Sequence, residues 1–134
     1  MLKRFWSTQP ISTDLGLLLL RIVLAVLMMT HGWSKFLHYT EKASSWPDPL
    51  GVSSPVSLLL TIFAELICSC FLLLGLFTRL ALIPLIFTMV VAVFVIHGKD
   101  DLGVREHALS FLVPYLALYL TGPGRFSLDG LLKR

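Results

Sequence analysis

The amino-acid sequence predicts an all-α integral membrane protein, a four-transmembrane-helix up-down-up-down bundle with both termini in the cytoplasm. Charged residues form only 14% of the 134 residues, whereas a soluble domain has about 25%. Hydrophobic residues form 56%, and the mean hydropathy is +0.83. Several apolar runs approach the roughly 20 residues that cross a bilayer as a helix. The net charge of +3, without a basic patch, gives no indication of a nucleic-acid partner.

The first predicted helix covers about residues 14–36 and contains an arginine deep in its apolar run. Lys3 and Arg4 precede this run, as in a signal peptide, but Arg21 interrupts it and no small-residue cleavage site follows. We therefore expect a retained helix. Arg21 would lie about 9 Å inside the membrane, at ~1.5 Å per residue, and so needs a partner within the protein.

Three later helices complete the predicted bundle, with expected bounds of about 56–76, 79–97 and 105–120. Gly75 is typical of a helix end, and Thr78 is a candidate cap for the helix that follows. The polar segments 38–55 and 98–104 would then lie on one side of the membrane. The short amphipathic tail is expected to lie on the membrane surface.

The distribution of Lys and Arg predicts the orientation. The side that holds both termini has slightly more of them than the side that holds the two polar loops. By the positive-inside rule, the termini face the cytoplasm and the loops face outward. The lipid bilayer is thus the first predicted partner of this multi-pass protein.

Ionisable side chains are expected to gather inside the bundle. Glu65 lies near the centre of the second helix, at a depth that Arg21 can reach, which predicts a buried Arg21–Glu65 ion pair. The other candidate ligand-binding residues lie towards the outer ends of the helices: His31, Lys35, His97, Glu106 and His107. The sequence therefore predicts a polar pocket that opens outward and ends at the ion pair.

Each of these residues also has a purely structural interpretation. An Arg21–Glu65 pair can simply fix the register of two helices. Lys35 can extend its ammonium group to the interface, and His97 and His107 can be solvated at helix ends. The sequence leaves both interpretations open.

Metal and haem sites are weakly indicated. His31 and His97 lie on different helices at similar depth, as haem ligands would, but the chain is small for enclosing a haem, which disfavours that cofactor. His97, Glu106 and His107 lack diagnostic zinc spacing. No metal is predicted.

Several short motifs follow one another along the chain: LRI at 20–22, HGWSKF at 31–36, Glu65 followed by LLLGLFTR at 72–79, His97, and TGPGRFSLD at 121–129. Their order and spacing resemble the DoxX family of small four-helix bacterial membrane proteins. The resemblance implies a single DoxX-like transmembrane domain over residues 1–134 in the bacterial inner membrane. It also implies a relation to small subunits of quinone-linked oxidation, including thiosulfate:quinone oxidoreductase and terminal oxidases, and to thiol-stress assemblies.

The leading functional hypothesis is a redox-associated inner-membrane subunit whose outward-opening pocket binds quinone or a similar small molecule. His31 and Glu65 are the candidate catalytic residues. His31 would donate to a carbonyl and pass a proton, Glu65 would accept or relay it, and Arg21 would hold Glu65 ionised.

Two further hypotheses remain. The protein can be a non-catalytic scaffold or assembly subunit of an oxidoreductase complex, with its ion pair purely structural. A small-molecule transporter is disfavoured, since the chain is short and has no convincing inverted repeat. The sequence does not decide whether the protein is an enzyme, which partner subunit it has, or whether it forms a homo-oligomer.

Overall fold

A computed structural model of the chain describes residues 2–100 and 102–133, which form helices and connecting turns without any strand. The α-helices are α1 Leu2–Phe5, α2 Thr13–Leu37, α3 Tyr39–Lys42, α4 Ser54–Ile62, α5 Ser69–Leu74, α6 Thr78–Val91, α7 Leu102–Thr121 and α8 Leu128–Leu132. Two π-helical segments, Phe63–Cys68 and Ala92–Ile96, extend α4 into α5 and lengthen α6. The prediction of an all-helical chain is confirmed for the described residues.

Three helices are long and apolar enough to cross a membrane. We call Thr13–Leu37 the first span, Ser54–Leu74 the second span and Thr78–Ile96 the third span. The fourth helix, α7, has 20 residues but contains Arg105, Glu106 and His107 near its start, and it falls outside this set. The observed helix ends lie within three residues of the predicted ones.

Serine side chains begin the first two spans. Ser12 Oγ accepts a hydrogen bond of 3.2 Å from the Leu15 N–H, and Ser53 Oγ accepts one of 3.3 Å from the Val56 N–H. Both bonds satisfy donors that the first helical turn leaves without partners. Pro55, in the first turn of the second span, has no N–H to satisfy there.

The core lies where the three spans and α7 meet. Its fully buried side chains include Met28, Leu72, Leu82, Leu85, Tyr115 and Leu118. Large apolar side chains also cover the outside of the helices, for example Phe63, Phe87 and Val113. An apolar exterior of this kind suits lipid rather than water.

The chain after α7 folds back onto the turn between the second and third spans. The Asp129 carboxylate accepts hydrogen bonds of 2.9 Å from the N–H groups of Phe77 and Thr78, and the Asp129 N–H donates to the Gly75 carbonyl. Partial burial alone would raise the pKa of Asp129, but these backbone hydrogen bonds outweigh it and hold the pKa below its usual 3.8. The expectation that Thr78 caps the third span is wrong, because Phe77 occupies the cap position and Asp129 supplies the capping oxygens.

The same tail also meets the start of the first span, since the Arg125 N–H donates to Asp14 Oδ1 at 2.9 Å. The start of the first span and the tail therefore lie at one end of the bundle, which we call the terminal end. The opposite end holds residues 38–53 and 97–100, and we call it the loop end.

Candidate functional site

A buried charge pair joins the first and second spans near the loop end. Lys35 Nζ lies 2.6 Å from Glu65 Oε1 and 2.5 Å from Glu65 Oε2. The Glu65 side chain is only 5% exposed and that of Lys35 only 18%. Two charges this far from water need each other as partners. Glu65 belongs to the π-helical segment of the second span, and such segments often occur at functional sites.

The predicted Arg21–Glu65 ion pair is wrong. The first and second spans are antiparallel, and Gly32 is level with Glu65, because a Cβ at Gly32 would lie 3.0 Å from the Glu65 carbonyl carbon. Arg21 lies eleven residues before Gly32, which is roughly 16 Å along the helix at ~1.5 Å per residue. No side chain reaches that far. Lys35 lies one turn beyond Gly32 and takes the place predicted for Arg21.

Arg21 instead binds carbonyl oxygens at the terminal end. Its Nη1 donates to the carbonyls of Leu72 and Leu73 at 3.1 and 3.2 Å, and its Nη2 donates to the carbonyl of Phe126. The last carbonyls of a helix have no partner within it and carry partial negative charge. The guanidinium thus ties together the first span, the end of the second span and the tail. Gly75 leaves room for it, since a Cβ there would collide with Nη1.

A cavity of about 670 Å³ opens at the loop end, between the second and third spans. Five predicted site residues line it: His31, Lys35, Glu65, His97 and His107. Two do not. Arg21 is buried at the terminal end, and Glu106 is exposed on α7.

The three histidines differ in their surroundings. The rings of His31 and His107 meet edge to face, with centroids 4.8 Å apart. Phe111 packs against both of them. His97 lies at the rim, where its Nδ1 is 2.7 Å from Asp100 Oδ2. The first two rings are therefore positioned by packing, while the third is held by a carboxylate.

Sequence reasoning predicted the polar loop 38–55 but not that part of it covers the cavity mouth. Trp46 lines the cavity and places its ring centroid 5.7 Å from Lys35 Nζ, a cation–π geometry. Asp48 fixes this loop, because its carboxylate accepts hydrogen bonds from the Ser57 hydroxyl at 2.8 Å and from the Val52 and Ser53 N–H groups. The same bonds, that of Ser57 foremost, lower the pKa of Asp48. Aspartate between two prolines is typical of a turn, and that is the only signal the sequence offered.

The cavity wall formed by the second and third spans faces outward as well as inward. Leu60 and Phe63 of the second span and Phe87 of the third span line the cavity. These three side chains are also about half exposed, at 48%, 48% and 51%. The cavity wall at these three positions is therefore apolar and only partly covered by the rest of the chain. Thr88, whose hydroxyl donates to the Pro84 carbonyl at 2.7 Å, adds a polar atom to this wall.

The cavity has the properties of a small-molecule site. Its volume lies within the roughly 300–1,000 Å³ of such sites, and its surface is mostly apolar with a few polar groups at one end. Lys35 is a donor, Glu65 an acceptor, and His31 and His107 can each do both. Among residues 2–100 and 102–133, no three His, Cys, Asp or Glu side chains come together as metal ligands.

Fold and site together define a small helical membrane protein with a buried charge pair on the wall of an internal cavity. The family model described as DoxX matches residues 16–98, and the chain belongs to the DoxX family. It is 32% identical to the "Inner membrane protein YqjF" of Escherichia coli (strain K12), over 90% of this chain and 95% of that protein. It is 29% identical to the "Uncharacterized membrane protein Rv3486" of Mycobacterium tuberculosis, over 86% of this chain and 80% of the relative. No solved structure matches the chain.

Proposed function

We propose that this protein is a redox-associated subunit of the bacterial inner membrane that binds quinone, or a similar small carbonyl compound, in the cavity. One observation supports the proposal most directly. The cavity combines a wall that faces lipid with a buried Lys35–Glu65 pair beside His31. A quinone is an apolar ring with two carbonyl oxygens, so it enters from lipid and needs donors at its polar end.

The cavity residues divide this task among themselves. Lys35 and His31 donate hydrogen bonds to a ligand carbonyl, and Trp46 covers the mouth. Glu65 keeps Lys35 in place and exchanges protons with the ligand. A bound quinone supplies two-electron, two-proton redox chemistry, and a partner oxidoreductase subunit exchanges the electrons. Arg21 has no place at this site, and Lys35 takes over the role of holding Glu65 ionised.

The proposal includes a fourth span and an orientation. The fourth helix α7 packs Phe111 and Tyr115 into the core and exposes Val113 and Leu120 outward, as the other spans do. We infer that α7 also crosses the membrane, with the terminal end in the cytoplasm.

A labelling experiment tests this topology. In a background with Cys68 and Cys70 replaced by Ala, Ser45→Cys should react with a membrane-impermeant maleimide in intact spheroplasts, and Lys133→Cys should react only after lysis. The opposite pattern would reverse the orientation. Reaction of both in intact spheroplasts would place the two ends on one side and remove the fourth span.

Ligand binding tests the cavity assignment. The purified protein in nanodiscs is titrated with a short-chain ubiquinone analogue, and quenching of tryptophan fluorescence is followed. The parent should bind saturably. His31→Ala should weaken binding by up to about tenfold, because an ordinary lost hydrogen bond costs about 0.5–1.5 kcal/mol. Glu65→Gln should weaken binding as well, because Lys35 loses the carboxylate that keeps it in place. Glu106→Gln is the matched control, since Glu106 lies outside the cavity. Equal affinity of all four proteins would show that the quinone does not use this cavity.

A non-catalytic scaffold is the second candidate, and Arg21 favours it. Its guanidinium joins three segments of the chain and needs no ligand to do so. A scaffold predicts that Glu65→Gln leaves copurification of a partner subunit and cellular respiration unchanged. The quinone hypothesis predicts that assembly survives this substitution while quinone-dependent activity falls.

A further inference from the structure

Residues 44–52 lie over the cavity mouth, and we call this segment the lid. Its residues that line the cavity are Trp46, Pro47, Pro49 and Leu50. The Ser45 N–H donates to the Lys42 carbonyl just before the lid, and the Gly51 N–H donates to a carbonyl within it. In the described part of the chain, no backbone–backbone hydrogen bond joins the lid to a span. A segment held by so few backbone bonds opens locally at a low cost in free energy.

The Asp48 side chain joins the lid to the start of the second span. Its Oδ1 accepts a hydrogen bond of 2.8 Å from the Ser57 hydroxyl, and its Oδ2 accepts one of 2.9 Å from the Ser53 N–H. Hydrogen bonds to a carboxylate are stronger than those between neutral groups. Asp48 is itself exposed and does not line the cavity. It therefore influences the cavity through the position of the lid and not through a contact of its own.

The backbone between the lid and the second span is strained at Ser53. Its φ of 105° and ψ of 153° lie in a region that is essentially reserved for glycine. Such a conformation persists only where its surroundings hold it. Asp48 binds the N–H of this residue, and the Ser53 hydroxyl accepts a hydrogen bond from the Val56 N–H. Without the Asp48 bonds, Ser53 is free to relax, and rotation at this residue moves the lid relative to the second span.

The lid places Trp46 beside the buried charge pair. The ring centroid lies 5.7 Å from Lys35 Nζ, and the Lys35 side chain is only 18% exposed. The same ammonium group binds both carboxylate oxygens of Glu65. Removing the ring would admit water to Lys35 and weaken its interaction with Glu65, because charges interact less strongly where the local dielectric constant is higher. The position of the lid therefore determines how dry the pair is.

We propose that the lid opens by rotation at Ser53 and controls the access of water and water-soluble molecules to the Lys35–Glu65 pair. Asp48 is the positioning residue that keeps the lid closed, and Trp46 is the side chain that covers the pair. In the proposed function, on which the role toward a quinone rests, a closed lid keeps the polar end of the ligand dry, and an open lid lets water reach it. The motion of the lid itself requires no ligand.

A thiol on the cavity wall tests the access of water. In a background with Cys68 and Cys70 replaced by Ala, Thr61→Cys places this thiol in the cavity. A cationic methanethiosulfonate reagent does not enter lipid, so in nanodiscs it reaches the thiol from water through the mouth. Adding Asp48→Asn should raise the reaction rate about tenfold, because the loss of one hydrogen bond to a charged group shifts an equilibrium by that factor.

Two further variants check the interpretation of this rate. Ser57→Ala removes only the hydroxyl group that binds Asp48, and it should raise the rate in the same direction. Glu41→Gln is the matched control, since Glu41 is an exposed carboxylate on α3 that lies outside the cavity. The reaction rate of the control should equal that of the parent.

Tryptophan fluorescence reports the position of the lid directly. With Trp6 and Trp33 replaced by Phe, Trp46 is the only one of the three tryptophans that remains. Acrylamide quenching is then measured without quinone. Asp48→Asn should raise the quenching constant of Trp46, and Glu41→Gln should leave it unchanged. A loss of stability with the lid still closed would not change this constant.

Two results would overturn the proposal. One is a thiol reaction rate equal to that of the parent in both Asp48→Asn and Ser57→Ala, with both variants monodisperse. The other is an unchanged quenching constant of Trp46 in Asp48→Asn, since the lid would then not have moved. Both measurements are made without quinone, so the lid can fail while quinone binding stands, and quinone binding can fail while the lid stands.

Discussion

Replacing Gly32 by alanine tests the register on which the site depends. Gly32 is buried on the first span, where the backbone of the second span comes close to it. A Cβ at this position would lie 3.0 Å from the Glu65 carbonyl carbon and 3.0 Å from the Leu66 nitrogen. Both atoms belong to the backbone, so no side-chain rotation relieves the contact. The two spans must move apart by a few tenths of an ångström beside Glu65, one turn from Lys35.

The expected cost follows from two opposing effects. Overpacking of a close contact costs about 1–3 kcal/mol. Alanine favours a helix over glycine by about 1 kcal/mol, a value measured in water. We therefore expect Gly32→Ala to lower the free energy of unfolding by up to about 2 kcal/mol, the difference between these two effects. Gly16→Ala is the matched control, since a Cβ at Gly16 meets nothing within 4 Å, and it should be neutral or stabilising by up to ~1 kcal/mol.

Unfolding in mixed micelles, with SDS as denaturant and circular dichroism as signal, measures both variants. The midpoint should fall for Gly32→Ala and stay or rise for Gly16→Ala. Equal midpoints in the two variants would mean that the first and second spans do not touch at Gly32. The register would then be different, and the depth assigned to Glu65 would have no support.

Three further predictions concern the other polar contacts. Lys35→Met should cost about 3–5 kcal/mol in the same assay because it leaves Glu65 charged and unpaired, and adding Glu65→Leu should recover most of it; an equally unstable double variant would contradict the pairing. Arg21→Lys should lower the thermal midpoint, since a lysine lacks the planar fork that reaches three carbonyls; an unchanged midpoint would rule out the clamp. Asp129→Asn should cost about 1 kcal/mol, typical of a lost helix cap. Because folding lowers the pKa of Asp129, its contribution is complete above pH 3.8 and is lost as the pH falls through the lower folded value, so the parent should lose its advantage over Asp129→Asn in acid.

Hydropathy was sufficient to predict the three spans, and five of the predicted polar side chains line the cavity. Apolar runs fix the helices, since lipid allows little else. Residues 31–36 contain both a histidine and a lysine four positions apart, and that spacing places them on one face. Lys35 and His31 accordingly line the same cavity. Periodicity within one helix is thus a reliable guide to which residues share a direction.

The partner of Glu65 could not be predicted in this way, because it depends on how two helices slide along each other. That register is set by a contact between backbones at Gly32, which no periodic pattern reveals. Depths counted from an assumed membrane edge placed the side chains of Arg21 and Glu65 close enough to form an ion pair, because this count ignores the register of the two helices. The role of Asp129 was hidden for a similar reason, since it caps a helix that begins 51 residues earlier in the sequence.

The polar residues of the first span consequently act at opposite ends of the bundle, and this separates the two candidate functions experimentally. Arg21 holds the terminal end closed, so its loss should affect stability and assembly before it affects a ligand at the loop end. Glu65 lies on the cavity wall with Lys35, so its neutralisation should affect ligand binding and proton transfer while the Arg21 contacts stay intact. A protein that is only a scaffold needs the Arg21 contacts at the terminal end, but it does not need a Lys35–Glu65 pair on the wall of a cavity. The presence of a costly buried pair beside an accessible cavity therefore favours a ligand-binding role over a purely structural one.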